Sequence, residues 1–141
     1  MDESRLFSRQ RGRLPRKKSI ALADYILRKE KAKLSINIIF CDDADVTELN
    51  SRFRHQHRST DVLSFNSDPD LEILGEVYIS IETARRQANE YQATLTDEIL
   101  RLVCHGVLHL CGYEHSAKTE REIMRKLEDR YLSDFPGAKN A

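Results

Sequence analysis

Thr94-Leu-Thr-Asp-Glu-Ile-Leu-Arg-Leu-Val-Cys-His105-Gly-Val-Leu-His109-Leu-Cys-Gly112-Tyr-Glu-His115 carries a helix, both of its ends and three imidazoles in one run. Thr94-Leu-Thr-Asp97 resembles a capping box, and Asp97 and Glu98 suit the positive end of a first turn. The periodicity predicts a helix to about Leu110, with Gly112 supplying a left-handed exit. On a helical projection Leu95, Ile99, Leu102, Val103, Gly106 and Leu110 make the apolar face. His105 and His109 lie on its border, and Glu98 sits on the same stripe two turns earlier.

Residues four apart on a helix stack on one face about 5–6 Å apart at Cβ, within reach of a single ion. The Gly112 turn lets the chain reverse and bring His115 back over the same point. His105, His109 and His115 are therefore expected to hold one zinc ion, at a helix end and the turn after it. Three protein ligands leave a fourth position open, the arrangement of a catalytic site. Imidazole also suits nickel and copper. Of the five histidines in the chain, three fall in these eleven positions, which favours a metal site over satisfied surface side chains. The spacing H-x-x-x-H-x-x-G-x-x-H also occurs in metzincin peptidases, but those need Glu after the first histidine, and here that residue is Gly106. Without that base a peptidase is disfavoured. Cys104 and Cys111 flank the motif and read as small core thiols, not ligands.

Outward from this stretch, helical spacing of Ile20, Ala23 and Leu27 marks residues 18–31 as a helix, and Leu34–Phe40 alternates as a strand. Asp42-Asp43 opens a short helix carrying Val46, Leu49 and Phe53. Thr60–Phe65 and Leu74–Ile79 are strand candidates around the turn-rich Asn66–Pro69. Ser80–Tyr91 has helical spacing, and a last amphipathic helix carries Ile123, Met124, Leu127 and Tyr131. Strands and helices interleave without a strict βαβ rhythm, so the fold class is α+β, a small mixed sheet packed with several helices.

A length of 141 residues fits one domain, 1–141, large enough for a core without disulfide staples. Hydrophobic residues at 40% and charged residues at 33% exclude fibrous and disordered classes. Behind Met1-Asp2-Glu3 there is no apolar run, and three cysteines without finger spacing suit reduced thiols, so a cytoplasmic location and no membrane partner are expected. The zero net charge argues against a general nucleic-acid coat protein. Charge is uneven, however: residues 1–33 hold 11 Lys/Arg against 4 Asp/Glu. Within and just past the basic N-terminal segment 1–17, the cluster Arg9, Arg11, Arg13, Arg16, Lys17 and Lys18 reads as a solvated face, with phosphate contact as the alternative.

Three blocks extend the reading: Leu49-Asn50 to Arg54 followed by Thr60-Asp-Val-Leu-Ser-Phe65, Leu74-Gly-Glu-Val-Tyr-Ile-Ser80, and His105 to His115. With Met124 and Glu128, and in this order and spacing, the chain resembles the YbeY family of bacterial rRNA-maturation endoribonucleases over roughly residues 34–132. The resemblance implies a metal-dependent, single-strand-specific endoribonuclease. Such an enzyme acts at the 3′ end of small-subunit rRNA and in ribosome quality control, with single-stranded RNA and the ribosome or its small subunit as partners. It maps the metal ligands onto His105, His109 and His115 and a cleft arginine onto Arg54. Glu114 stands where the family usually has Asp, and His57 and Ser59 where many members have Asp and Pro.

Chemistry fits those assignments: RNA cleavage builds negative charge on phosphorus, which zinc and a guanidinium stabilise. Arg54 is the expected phosphate ligand, Arg58 an RNA-binding residue of the same loop, and Glu98 or Glu114 the candidate base. Two other classes stay open. One is a ribosome-assembly binding factor with a structural zinc; the other is a metal-dependent hydrolase of another substrate.

Overall fold

A computed structural model describes residues 3–54, 60–68 and 70–137, with only the backbone of Arg54. The elements run β1 (Arg5–Ser8), α1 (Arg16–Lys29), β2 (Ser35–Cys41), α2 (Asp43–Arg54), β3 (Val62–Asn66), β4 (Ile73–Ser80), α3 (Ile81–Glu90), α4 (Leu95–Leu110) and α5 (Lys118–Asp134). The four strands form one sheet in the order β1-β2-β4-β3. β1 and β4 both lie parallel to β2, while β3 runs antiparallel to β4. The expected α+β class with a mixed sheet is what the chain adopts.

Period-two alternation assigns the two faces. Ile36, Ile38 and Phe40 of β2 and Val77 and Ile79 of β4 point to one side. There they meet Leu22, Ala23, Ile26 and Leu27 of α1 and Ile99, Val103 and Val107 of α4, all at most 2% exposed. The other face carries a smaller cluster, Cys41, Val46 and Leu63, under α2. Among the described residues no helix is long and apolar enough to cross a membrane.

The first strand is the departure from the sequence reading. Nothing in the sequence reading of the basic segment 1–17 indicates a strand, yet Arg5–Ser8 pairs with Asn37–Phe40, while Arg9, Arg11, Arg13, Arg16 and Lys17 are exposed, as a solvated basic face requires. Buried Ser4 explains the attachment: its hydroxyl donates to Asp24 Oδ1 at 2.7 Å and accepts from Ile36 N–H at 3.1 Å. One side chain thus ties the N-terminal segment to both α1 and β2. The first helix also starts two residues earlier than its periodicity indicated, at Arg16.

Two glycines set how closely α4 lies on the sheet. A Cβ on Gly106 would sit 2.5 Å from Val77 Cγ1, and one on Gly75 2.4 Å from the Phe65 carbonyl oxygen and 2.8 Å from Leu110 Cδ2. Glycine inside a helix costs about 1 kcal/mol relative to alanine; here close approach offsets that cost. From the edge strand β3, Ser64 Oγ donates to the Gly106 carbonyl at 3.0 Å and Asn66 Nδ2 to the Leu110 carbonyl at 3.2 Å. The histidine-bearing part of α4 is thereby clamped to the sheet.

Candidate metal centre

The helix that carries the site is built as its sequence indicated. Thr94 Oγ1 accepts from Asp97 N–H at 3.0 Å, and Gly112 takes φ +104°. Tyr113 N–H donates to the Leu108 carbonyl at 3.1 Å and Gly112 N–H to the His109 carbonyl at 3.0 Å, the two bonds of a Schellman exit. That exit turns the chain back on itself. His115 returns with its ring centroid 4.9 Å from His105 and 4.6 Å from His109, the latter two being 5.5 Å apart.

One nitrogen from each ring can be chosen so that all three lie within 4.8 Å of one another. His109 Nε2 and His115 Nδ1 are 2.7 Å apart, within hydrogen-bond distance. Two nitrogens on one tetrahedral zinc are separated by about 3.3 Å, given bonds of about 2.0–2.1 Å. An opening of about 0.6 Å between those two nitrogens would seat both on one ion, so the donor set fits a divalent metal. Imidazole donors serve several divalent metals.

Glu128, on α5, gives the third part of the site. Its Oε2 lies 2.7 Å from His105 Nδ1, and its Oε1 accepts from Arg101 Nη1 at 3.3 Å. Arg101 Nη2 also donates to Asp129 Oδ1 at 3.0 Å. A carboxylate on Nδ1 fixes the tautomer and leaves Nε2 of His105 with its lone pair for an ion. The carboxylate that helical spacing puts on the His105 stripe is Glu98, but the one bonded to His105 is Glu128. No local signal reveals this, because the two residues meet only when α5 packs on α4. Another long-range contact steadies the turn: Tyr113 Oη donates to Glu30 Oε1 at 2.8 Å, and Tyr131 donates to the same carboxylate.

Glu98 is buried and lines the same cleft as His105 and His115, a cavity of about 1010 Å³. Burial pushes its carboxyl pKa up, the negative field of Asp61 adds to the rise, and Arg101 opposes it. Glu114 is exposed on the turn. Ser64 is engaged with α4, and Asp61 accepts from Val62 N–H at 2.8 Å and Gln87 Nε2 at 3.3 Å. Cys111 caps α4 and is absent from the ligand group; burial raises its thiol to about 11. The Arg54 side chain and Arg58, expected at the phosphate, lie outside the described residues, as do His55 and His57.

Gly106 now carries a second meaning. The residue after the first histidine points at Val77 and Ser64 in the sheet. A glutamate there would meet the packed core and not the metal, so this helix cannot use the peptidase base.

Comparison with known proteins agrees with this architecture. The family model described as Endoribonuclease YbeY matches residues 8–136. The chain is 37% identical over 119 residues to Endoribonuclease YbeY of Flavobacterium psychrophilum, covering 84% of this chain and 85% of that one. It is 42% identical over 106 residues to the protein of that name from Pelotomaculum thermopropionicum, covering 69% of each. The solution structure of a Thermotoga maritima protein superposes with a TM-score of 0.61 at 28% identity, over 93% of this chain and 90% of that one. On the extent of these matches, the chain belongs to the YbeY family of endoribonucleases.

Proposed function

We propose that this protein is a zinc-dependent endoribonuclease that cuts single-stranded RNA, acting on the 3′ end of small-subunit rRNA and in ribosome quality control in the cytoplasm. The observation that carries the reading is the group of three converging imidazoles, one of them held by Glu128, in a cleft that also contains a buried carboxyl. Family membership supplies the substrate class. His105, His109 and His115 would hold the ion, and a bound zinc ion supplies Lewis acidity toward a phosphoryl oxygen.

The chain's own groups divide the remaining work. Glu128 and Arg101 keep the His105 ring in one orientation. Glu98, whose burial favours its protonated form, is suited to hold and pass a proton inside the cleft. Glu114, on the exposed rim, is the weaker candidate for that task. Arg54 and Arg58, at and beyond the end of α2, are the proposed contacts to phosphate, with Arg54 the one at the scissile group. Attack by the neighbouring 2′-hydroxyl leaves a cyclic phosphate and a 5′-hydroxyl, whereas attack by water leaves a linear phosphate. The product ends therefore identify the nucleophile.

The test is cleavage of labelled single-stranded RNA by zinc-loaded protein beside His109→Ala and Arg54→Ala prepared in parallel. His109→Ala should lose both metal and cleavage, and Arg54→Ala only cleavage. Equal cleavage by His109→Ala and the unaltered protein overturns the reading. Activity in neither, with ribosomal co-sedimentation retained, points to an assembly factor instead. Turnover of a model phosphodiester with no preference for RNA points to a hydrolase of another substrate.

A further inference from the structure

The first half of α5 lines the cleft that holds His105 and His115. Lys118, Arg121 and Arg125 line the cavity together with His105 and His115. Their spacing, three and then four residues, puts them on one face of the helix within two turns. All three are exposed. Among the described residues no carboxylate is within ion-pair distance of any of the three. Arg121 spends one nitrogen on the Ser116 carbonyl at 2.8 Å and keeps its remaining donors.

The acidic groups of the same cavity are mostly committed elsewhere. Glu128 is shared by His105 and Arg101, and Asp129 is held by Arg101. Glu98 lies buried. Between Lys118 and Arg125 the acidic residue of α5 that lines the cavity is Glu122. Asp129 is exposed too, but its charge is offset by Arg101 at 3.0 Å. Three cations without an ion-pair partner thus face one carboxylate without one, Glu122, and the first two turns of α5 carry a net positive charge. A compact anion would need one such group. A stripe two turns long matches successive phosphates of an extended strand.

We propose that Lys118, Arg121 and Arg125 form a rail that holds the backbone phosphates of single-stranded RNA beside the metal centre. The inference rests on the RNA reading given above and adds residues that spacing within the histidine motif does not contain. The rail contacts backbone and not base edges, so it contributes affinity and register without sequence preference. Glu122 is the opposing charge that limits its strength.

The test is binding of a fluorescently labelled single-stranded oligonucleotide to full-length His109→Ala protein, which separates binding from cleavage. Affinity is read across a salt series. Each phosphate neutralised on a single strand contributes about 0.7 to the slope of log K against log salt. The Lys118→Gln/Arg121→Gln/Arg125→Gln variant should lower the slope by about 2, and Lys118→Gln/Arg125→Gln, which keeps the Arg121–Ser116 bond, by about 1.4. Glu122→Gln should tighten binding. An unchanged slope in the double variant overturns the rail, and loss of slope in Arg9→Gln/Arg11→Gln/Arg13→Gln alone would place the RNA on the N-terminal segment. Cleavage by wild-type protein with an unchanged slope in the α5 variants refutes the rail and leaves the nuclease reading standing. The lowered slope without cleavage by wild type does the reverse.

Discussion

Removing the Glu128 carboxylate should weaken metal binding without dismantling the fold. The side chain joins two groups, His105 Nδ1 at 2.7 Å and Arg101 Nη1 at 3.3 Å. In Glu128→Ala the imidazole is free to change tautomer and to rotate, and Nε2 loses the nearby negative charge that strengthens it as a donor. Carboxylate partners of ligating histidines are typically worth 10–100-fold in affinity, or about 1.4–2.7 kcal/mol. The Glu128 and His105 side chains are only 10% and 23% exposed, so water replaces the contact poorly and the loss should fall in the upper half of that range. Glu128→Gln keeps an oxygen that can accept from Nδ1–H and loses only the charge, so it should cost about tenfold or less. Competition of apo-protein with a chromophoric zinc chelator at neutral pH measures both. Thermal unfolding of the same metal-free samples shows whether the fold survives, since Arg101 retains Asp129. Zinc affinity for Glu128→Ala within about twofold of wild type, at unchanged unfolding temperature, would refute the assignment of Glu128 as the group that orients His105.

Three further outcomes are expected. Glu98→Gln should lower RNA cleavage by about 10²–10⁴-fold, the usual worth of a positioned proton carrier. Its metal-free unfolding temperature should stay equal or rise, because burial disfavours the carboxylate in the folded state; full activity would remove Glu98 from the mechanism. Burial, with smaller contributions from nearby carboxylates, raises the thiols of Cys41 and Cys104 to about 12. Their contribution to stability is thus complete below the unfolded pKa of about 8.5. It falls by about 1.4 kcal/mol per thiol per pH unit as pH rises from there toward 12. Denaturant titrations across that window should fall less steeply in Cys41→Ala/Cys104→Ala than in wild type, the remaining slope including that of Cys111, whose thiol is raised to about 11; equal slopes would refute the reasoning. Gly75→Ala forces a methyl to 2.4 Å from a backbone carbonyl that cannot rotate away. It should cost about 2–3 kcal/mol and lower Tm by about 6–10 °C in a circular-dichroism melt; an unchanged Tm would show that β3 yields where the contact says it cannot.

Several features could be read without coordinates because their causes are local. The α4 cap at Thr94, the apolar stripe, and the left-handed exit at Gly112 each depend on residues within a turn of one another. The same holds for the alternating strands β2 and β4. The histidine cluster was legible because helical spacing and one glycine turn suffice to bring His105, His109 and His115 together. β1 was not. Its four residues sit among arginines, and the strand is stabilised by pairing with β2 and by the Ser4–Asp24–Ile36 bonds, all distant in sequence.

The tertiary structure alone decided the partners. Glu128 reaches His105 and Glu30 reaches Tyr113 because α5 and α1 dock beside α4, and docking follows from the shape of the whole core. Gly106 shows the difference within one residue. From its identity one learns only that a base is missing; from its packing against Val77 one learns that the position faces the sheet and has no room for one. Backbone periodicity and turn preference are settled over a few residues, whereas the direction in which a side chain meets another element depends on contacts that exist only after the chain has folded.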